Sequence, residues 1–374
     1  MKRFPTGRAM RSRAGMKFSR LAAAALLAAG AAAAHAQSSV TLYGSLDAGV
    51  AYISNQAGHA NWIAEQGGAQ PDRWGLRGSE DLGGGNKAIF LLENGFSTLT
   101  GNTIKAGAMF NRQSWVGLQS DRLGTVTIGH MTPFNFDWLG PYSTAYLGQN
   151  WYMFHPGNID ELANTSVVQI DNAVRYVTPD FAGLKFAGMF AFGNTTNFAV
   201  GRKYSVGANY ANGPFKASVV YSNENNRTPN VAVLGGPTFQ GQPVGTYAAS
   251  NVQNMGAGLS YVIGPWLLHA LYTRVKLESP GQSDTYQSWD GGANFATGAA
   301  NQITFGVANT TLSGKRWTQV QLGDVYSLSK RTQVYVSGVY QHASGNGAVT
   351  AVNTISPSST SGQLVVMTGM HHSF

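Results

Sequence analysis

The feature that most constrains this chain is a series of segments, about ten residues long, in which apolar and polar side chains alternate with period two. Within residues 40–50, Val40, Leu42, Leu46, Ala48 and Val50 point one way while Thr41, Ser45 and Asp47 point the other, because successive Cβ atoms of a strand face opposite sides. The pattern returns at 219–221, 255–262, 267–275, 319–328 and 333–340. Short turn signals rich in Gly, Pro, Asn and Asp occur at 82–85, 121–124, 178–180, 211–214, 263–265, 297–299 and 328–331. Between them lie eight mostly longer connections, near 54–72, 98–109, 131–168, 193–202, 224–250, 277–284, 312–316 and 343–362. Seven turns and eight connections join sixteen strands. Short turns on one side and longer loops on the other predict an all-β, 16-stranded antiparallel transmembrane barrel.

Closure follows from the solvent. In hydrocarbon an unpaired backbone N–H or C=O costs several kcal/mol, so the first and last strands must pair. Residues 363–374 supply the last strand, with Leu364, Val366, Met370 and Phe374 in one phase, interrupted by Thr368 and His372. No apolar stretch reaches eighteen residues after the leader, so no transmembrane helix is expected. Charged residues are 11% of the chain, against a usual value of about 25%, which suits a wall whose outer face meets lipid. Cysteine is absent, so no disulfide framework holds the chain.

Residues 1–36 read as a signal peptide, leaving 37–374 as the barrel. Lys17 and Arg20 form a basic n-region, 21–34 is a run of Ala, Leu and Gly, and Ala34 and Ala36 flank a cut before Gln37. Met16 opens an ordinary n-region of its own, so it competes with Met1 as the start. Removing the leader takes the formal charge from +8 to 18 basic against 17 acidic residues. The basic balance belongs to the leader, and the usual inference to a nucleic-acid partner lapses.

Several segments carry a resemblance: Ser38-Ser39-Val40-Thr41-Leu42-Tyr43-Gly44, Arg73-Trp74-Gly75-Leu76-Arg77-Gly78-Ser79-Glu80-Asp81-Leu82-Gly83-Gly84-Gly85 and Leu92-Glu93-Asn94-Gly95-Phe96. Asn111-Arg112-Gln113-Ser114-Trp115-Val116-Gly117-Leu118, Leu328-Ser329-Lys330-Arg331-Thr332 and Val339-Tyr340-Gln341-His342-Ala343-Ser344-Gly345 continue it in order to the end of the chain. Together they resemble the trimeric general porins of Gram-negative bacteria, the beta-proteobacterial porins above all. The resemblance implies a homotrimer of water-filled barrels in the outer membrane, among lipids and lipopolysaccharide, each narrowed by an inward-folded third external loop. Ions and small hydrophilic solutes would diffuse through it. Phe374, after its alternating apolar residues, looks like the signal read by the barrel-assembly machinery.

The third loop, about 131–168, holds Phe134, Phe136, Trp138, Tyr142, Tyr146, Trp151, Tyr152 and Phe154, enough apolar surface to pack on a wall. Asp137, Asp160 and Glu161 are its carboxylates, and one or more of them is expected at the constriction. Arg73 and Arg77 oppose Trp74 and Leu76 in strand phase and therefore face the lumen if the apolar pair faces lipid. By position Arg73 and Arg112 match the family's constriction arginines and Glu93 an acidic neighbour. Arg112 shares parity with Val116 and Leu118, so it needs a bulge or an altered phase. The resemblance also implies a thinner arginine cluster than in strongly anion-selective members, since Gln169 stands where one of them has another arginine; Arg175 is a candidate to compensate, and ionic preference stays open. Fixed charges across a narrow wet gap would filter ions by sign.

Other constellations carry less. His371 and His372 point to opposite faces of a strand and cannot readily share a metal. Asp160 and Glu161 with His155 resemble an acid/base pair or calcium site, without further clustered ligands. No flanking motif singles out a nucleophilic serine, and Gly83-Gly84-Gly85 precedes a strand and not a helix. No enzyme activity, cofactor or metal is expected.

Overall fold

The computed structural model describes residues 38–165 and 168–374. The leader expected over 1–36 lies outside the described residues. Among the described residues nineteen strand segments form, in chain order. They are β1 Ser39–Gln56, β2 His59–Gln66, β3 Arg73–Gly83, β4 Asn86–Gly95, β5 Gln113–Ser120, β6 Gly124–Met131, β7 Ile170–Val177, β8 Leu184–Ala191, β9 Lys203–Asn212 and β10 Phe215–Arg227. The two-residue β11 Thr238–Phe239 and β12 Gln242–Pro243 make a small separate hairpin. Then follow β13 Ala249–Ile263, β14 Trp266–Ser279, β15 Gln282–Ala296, β16 Asn301–Leu312, β17 Lys315–Ser327, β18 Thr332–Ser344 and β19 Gly362–Ser373.

Neighbouring strands of the large sheet are antiparallel, and β1 pairs β19 from Ser45↔Ser373 to Ile53↔Val365, closing the sheet into a barrel. Phe374 extends this seam, exchanging backbone hydrogen bonds with Gly44 at 3.1 and 3.2 Å. Both β2 and β3 lie on the same edge of β1: β2 opposite its second half, Ala48↔Gln66 onward, and β3 opposite its first, Ser39↔Ser79 to Ser45↔Arg73. They are two parts of one barrel strand. Counted so, the barrel has sixteen strands.

The expected outward phase is observed. Val40, Leu42 and Val50 on β1, and Val366, Met370 and Phe374 at the other side of the seam, are exposed on the outer wall. Ser45 and Asp47 are buried on the inner side. Cross-strand ring pairs such as Trp266/Phe295 at 4.4 Å and Tyr272/Trp289 at 4.3 Å lie on the outer surface, as expected of a lipid-facing barrel with interfacial aromatics. His371 Nε2 is hydrogen-bonded to Ser45 Oγ at 2.9 Å, while His372 turns to Thr332.

Two connections are shorter than the sequence suggests. At 54–72 the chain turns tightly at Ala57 and Gly58 and immediately forms β2, and at 277–284 Pro280 and Gly281 alone join β14 to β15. The polar residues there look like loop because strands rising above the lipid band have no apolar outer phase to display. The true interruption is 67–72, inserted opposite only Leu46 and Asp47 of β1. Asp47 stitches it: its carboxylate accepts from the Ala69 and Gln70 N–H groups at 3.2 and 3.0 Å, and its own N–H donates to Asp72 Oδ1 at 2.7 Å.

Candidate functional site: the lumen constriction

The third loop folds into the barrel, as expected. Its short helical turns, Asn135–Leu139, Gly140–Tyr142, Thr144–Leu147 and Trp151–Met153, run along the inner wall from β10 to β17. Glycines on that wall make room. A Cβ on Gly258 would lie 2.6 Å from the Tyr142 ring, and one on Gly306 would lie 2.1 Å from Thr144 Cγ2. Wall side chains then satisfy the loop's carbonyls: Asn294 donates to Leu147 O at 2.8 Å, Gln321 to Gly148 O at 3.1 Å and Asn254 to Asp160 O at 2.9 Å. The far end reaches the break in the second barrel strand, where Trp151 N donates to Gly68 O at 2.9 Å.

Across the lumen from this loop, Glu93 is the centre of a compact cluster. Arg112 Nε donates to its Oε1 at 2.7 Å, the Tyr43 hydroxyl donates to its Oε2 at 2.8 Å, and Arg73 Nε lies 3.8 Å from Oε2. Arg73 also donates to Pro71 O at 3.0 Å, so the strand break helps fix it. Arg112 precedes β5 by one residue, and the strict alternation that would turn it outward does not reach it. Arg77 shares the inner face but is more exposed, with its guanidinium 5.4 Å from the Tyr43 ring centre.

Each of the loop's three carboxylates has a basic partner, and Asp160 and Glu161 are buried while Asp137 stays partly exposed. Asp137 accepts from Arg175 Nη1 at 2.8 Å and from Thr132 Oγ1 at 2.7 Å, making one anchor at the root of the loop. Asp160 is fully buried, accepting from Thr273 Oγ1 and bonded to His155 Nδ1, both at 2.7 Å. The other ring nitrogen of His155 lies 3.3 Å from Asp290 Oδ2, so one imidazole sits between two aspartates. Burial alone would discharge His155, but Asp160 and Asp290 outweigh it and push its pKa up to about 10. Glu161 is buried 3.2 Å from Arg227 Nη2, at φ 62°, an uncommon conformation for a non-glycine residue. Burial pushes its carboxyl up to about 8 against the pull of Arg227. Asp160 and Glu161 therefore serve as anchors sealed from the passage. Their partners explain the difference: His155 lies within the same loop, and Arg227 arrives from β10, far along the chain.

Sequence reasoning missed Tyr43, Asp47, Asp72, His155 in its anchoring role, and Arg227. Asp47 left a signal, as a carboxylate on the inner phase of the first strand, and so did His155, by standing near Asp160 and Glu161.

A family profile described as Gram-negative porin matches residues 22–346. This chain belongs to the Gram-negative porin family. Among similar porins, an outer membrane porin of Bordetella pertussis is 28% identical, covering 86% of this chain and 93% of its own. Outer membrane porin protein 32 of Delftia acidovorans is 31% identical, over 86% of this chain and 88% of its own. The solved anion-selective porin from Comamonas acidovorans superposes with a TM-score of 0.76 at 26% identity, covering 90% of this chain and all of that one. The porin described here is thus a multi-pass protein of the outer membrane, and its lumen is a channel for passive diffusion of ions and small hydrophilic solutes. Its family consists of channels and not of enzymes.

Proposed function

We propose that Arg73, Arg112 and Glu93 on the wall, facing the inner surface of the third loop, form the constriction of this porin and give it a preference for anions. One observation carries this reading: Asp137, Asp160 and Glu161 are engaged by Arg175, His155 and Arg227, so the loop brings no free carboxylate to face the arginines. On the wall, Glu93 offsets only one of the two guanidinium charges. Arg77 adds a further positive charge to the lumen. A narrow, partly dehydrated passage of net positive sign admits anions more easily than cations. The printed description of the Comamonas porin as anion-selective agrees with this.

The assembly around the channel is proposed on the same footing. Three copies would associate through the outer wall near the seam, with the second loop, about residues 98–109, as a latch; a solved outer membrane protein of Vibrio cholerae with the same fold is described as a trimer form. Residues 1–36 would direct export and be removed, and Phe374 would be read by the barrel-assembly machinery before insertion among outer-membrane lipids and lipopolysaccharide. The burial of His155 and Asp160 favours anchoring over hydrolysis, and we assign the protein no enzymatic reaction.

The test is the reversal potential across a planar bilayer under a salt gradient, for the native protein and Arg73→Ala/Arg112→Ala. A shift toward cation preference in the double variant supports the assignment. An unchanged potential overturns it while leaving the channel itself intact.

A further inference from the structure

The inner wall of a water-filled barrel is expected to be polar, and toward the external rim this one is not. Asn254 on β13 and Thr273 on β14 face the lumen, since both are bonded to Asp160 of the third loop. The next lumen-facing positions toward the rim are Val252, Val275 and Leu277. Leu312 on β16 and Trp317 on β17 join them, and each of the five is at most 1% exposed. Apolar wall along a wet passage is removed from water only by a cover.

The cover is the fifth external loop, residues 228–248 between β10 and β13. Its Val231, Leu234, Phe239 and Tyr247 pack with those wall residues in one buried apolar cluster. It also lies against the third loop, where a Cβ on Gly157 would come 2.7 Å from Asn230 O. Gln240 Nε2 donates to Leu277 O at 3.0 Å, tying the loop to β14 at the rim. The fifth loop thus forms a second inner layer, external to the first.

Lys315 fastens this layer. It opens β17 on the same lumen-facing phase as Trp317 and Gln321. An ammonium has three N–H donors and no acceptor. Lys315 Nζ gives them to Leu234 O and, at 3.2 and 3.1 Å, to Gly235 O and Gly347 O. Gly347 belongs to the eighth loop, residues 345–361 between β18 and β19. Trp317 holds that loop as well, its Nε1 donating to Val349 O at 2.8 Å. One side chain therefore ties two loops together over the wall. Lys315 is only partly buried, so water can reach the carbonyls it leaves, and its removal would loosen the loops without the penalty of buried, unpaired acceptors.

We infer that the fifth loop is a second narrowing of the passage, on its external side, and that Lys315 is the positioning residue that holds the fifth and eighth loops inward and so fixes the largest solute admitted from outside. This narrowing does not depend on which charges line the deeper constriction.

Polymer exclusion in single-channel recording tests it. Neutral polyethylene glycols of graded size are added to one side of the bilayer at a time, and those that enter the channel lower its conductance. In Lys315→Met the largest polymer that lowers the conductance from the external side should increase in size, while the cut-off from the periplasmic side keeps its native value. Lys315→Arg, which retains several donors, should preserve the native external cut-off. Leu234→Ser keeps the ammonium charge but weakens the apolar seat, and it should move the external cut-off in the same direction as Lys315→Met. An unchanged external cut-off in Lys315→Met would overturn the inference, as would an equal increase from both sides. An increase in Lys315→Met with none in Leu234→Ser would assign the effect to lost charge and overturn it too.

Discussion

The hydroxyl of Tyr335 on β18 reaches across β19 and donates to Oδ1 of Asp47 on β1, at 2.7 Å. It passes over Gly369, where a Cβ would lie 2.5 Å from that hydroxyl. Asp47 in turn holds the N–H groups of Ala69 and Gln70. One side-chain contact therefore joins the closing seam to the break in the second barrel strand, and that break grips Trp151 of the third loop and positions Arg73.

Tyr335→Phe removes the bond and leaves a buried carboxylate oxygen without its donor. A loss of about 1–3 kcal/mol is expected, read as a lower urea midpoint of the folded protein in lipid vesicles. An unchanged midpoint would show that water or another donor replaces the hydroxyl at no cost.

Gly306→Val places a branched side chain where Thr144 already sits, 2.1 Å from the position of a Cβ. Thr144 is short, and its N–H is held by Asp290 at 2.9 Å, so it cannot simply swing away. The third loop should lift from the wall, because a closely packed interface has no room for the added atoms, and the single-channel conductance should change. Conductance equal to that of the native protein would refute the close seating.

Glu93→Gln should strengthen anion preference, because Arg73 and Arg112 lose the carboxylate with which both are paired. The shift in reversal potential should be larger at low salt, where screening is weaker. Movement toward cation preference would contradict the electrostatic reading.

His155 gives a pH dependence with a definite sign. Against the opposing effect of burial, Asp160 from its own loop and Asp290 from β15 raise its folded pKa to about 10. A raised pKa means the native state holds the proton more tightly, so this anchor contributes fully below about pH 6.5 and weakens as pH rises toward about 10. Current noise from loop motion should increase between neutral pH and about pH 10 in the native channel. In His155→Gln that increase should disappear, whereas an equal alkaline increase in the variant would assign it to another group.

Much of the barrel was legible in the sequence because lipid imposes a rule that each strand must obey locally: an apolar residue at every second position of the membrane band. Val40, Leu42 and Val50 show it, and turn residues such as Gly83, Gly84 and Gly213 mark the tight ends. Above the band the rule lapses, which is why β2 read as loop. Contacts between distant parts of the chain were beyond local pattern. Nothing near Glu161 announces Arg227, nor does the neighbourhood of Asp47 announce Tyr335. Arg112 was legible by its place in a motif, while its inward turn depended on where the ladder with β4 begins.

The third loop is made early in the chain, yet many of its fastenings come late: Asp290, Asn294, Gln321 and Ser337, the last accepting from Asn150 at 2.7 Å. Until β15 through β18 are in place, the loop has few of the partners that hold it across the opening. Narrowness is thus a product of completion. A chain stalled short of its final strands would have neither a shut seam nor the fastenings that keep its passage narrow, and a cell has reason to keep such intermediates away from its outer surface.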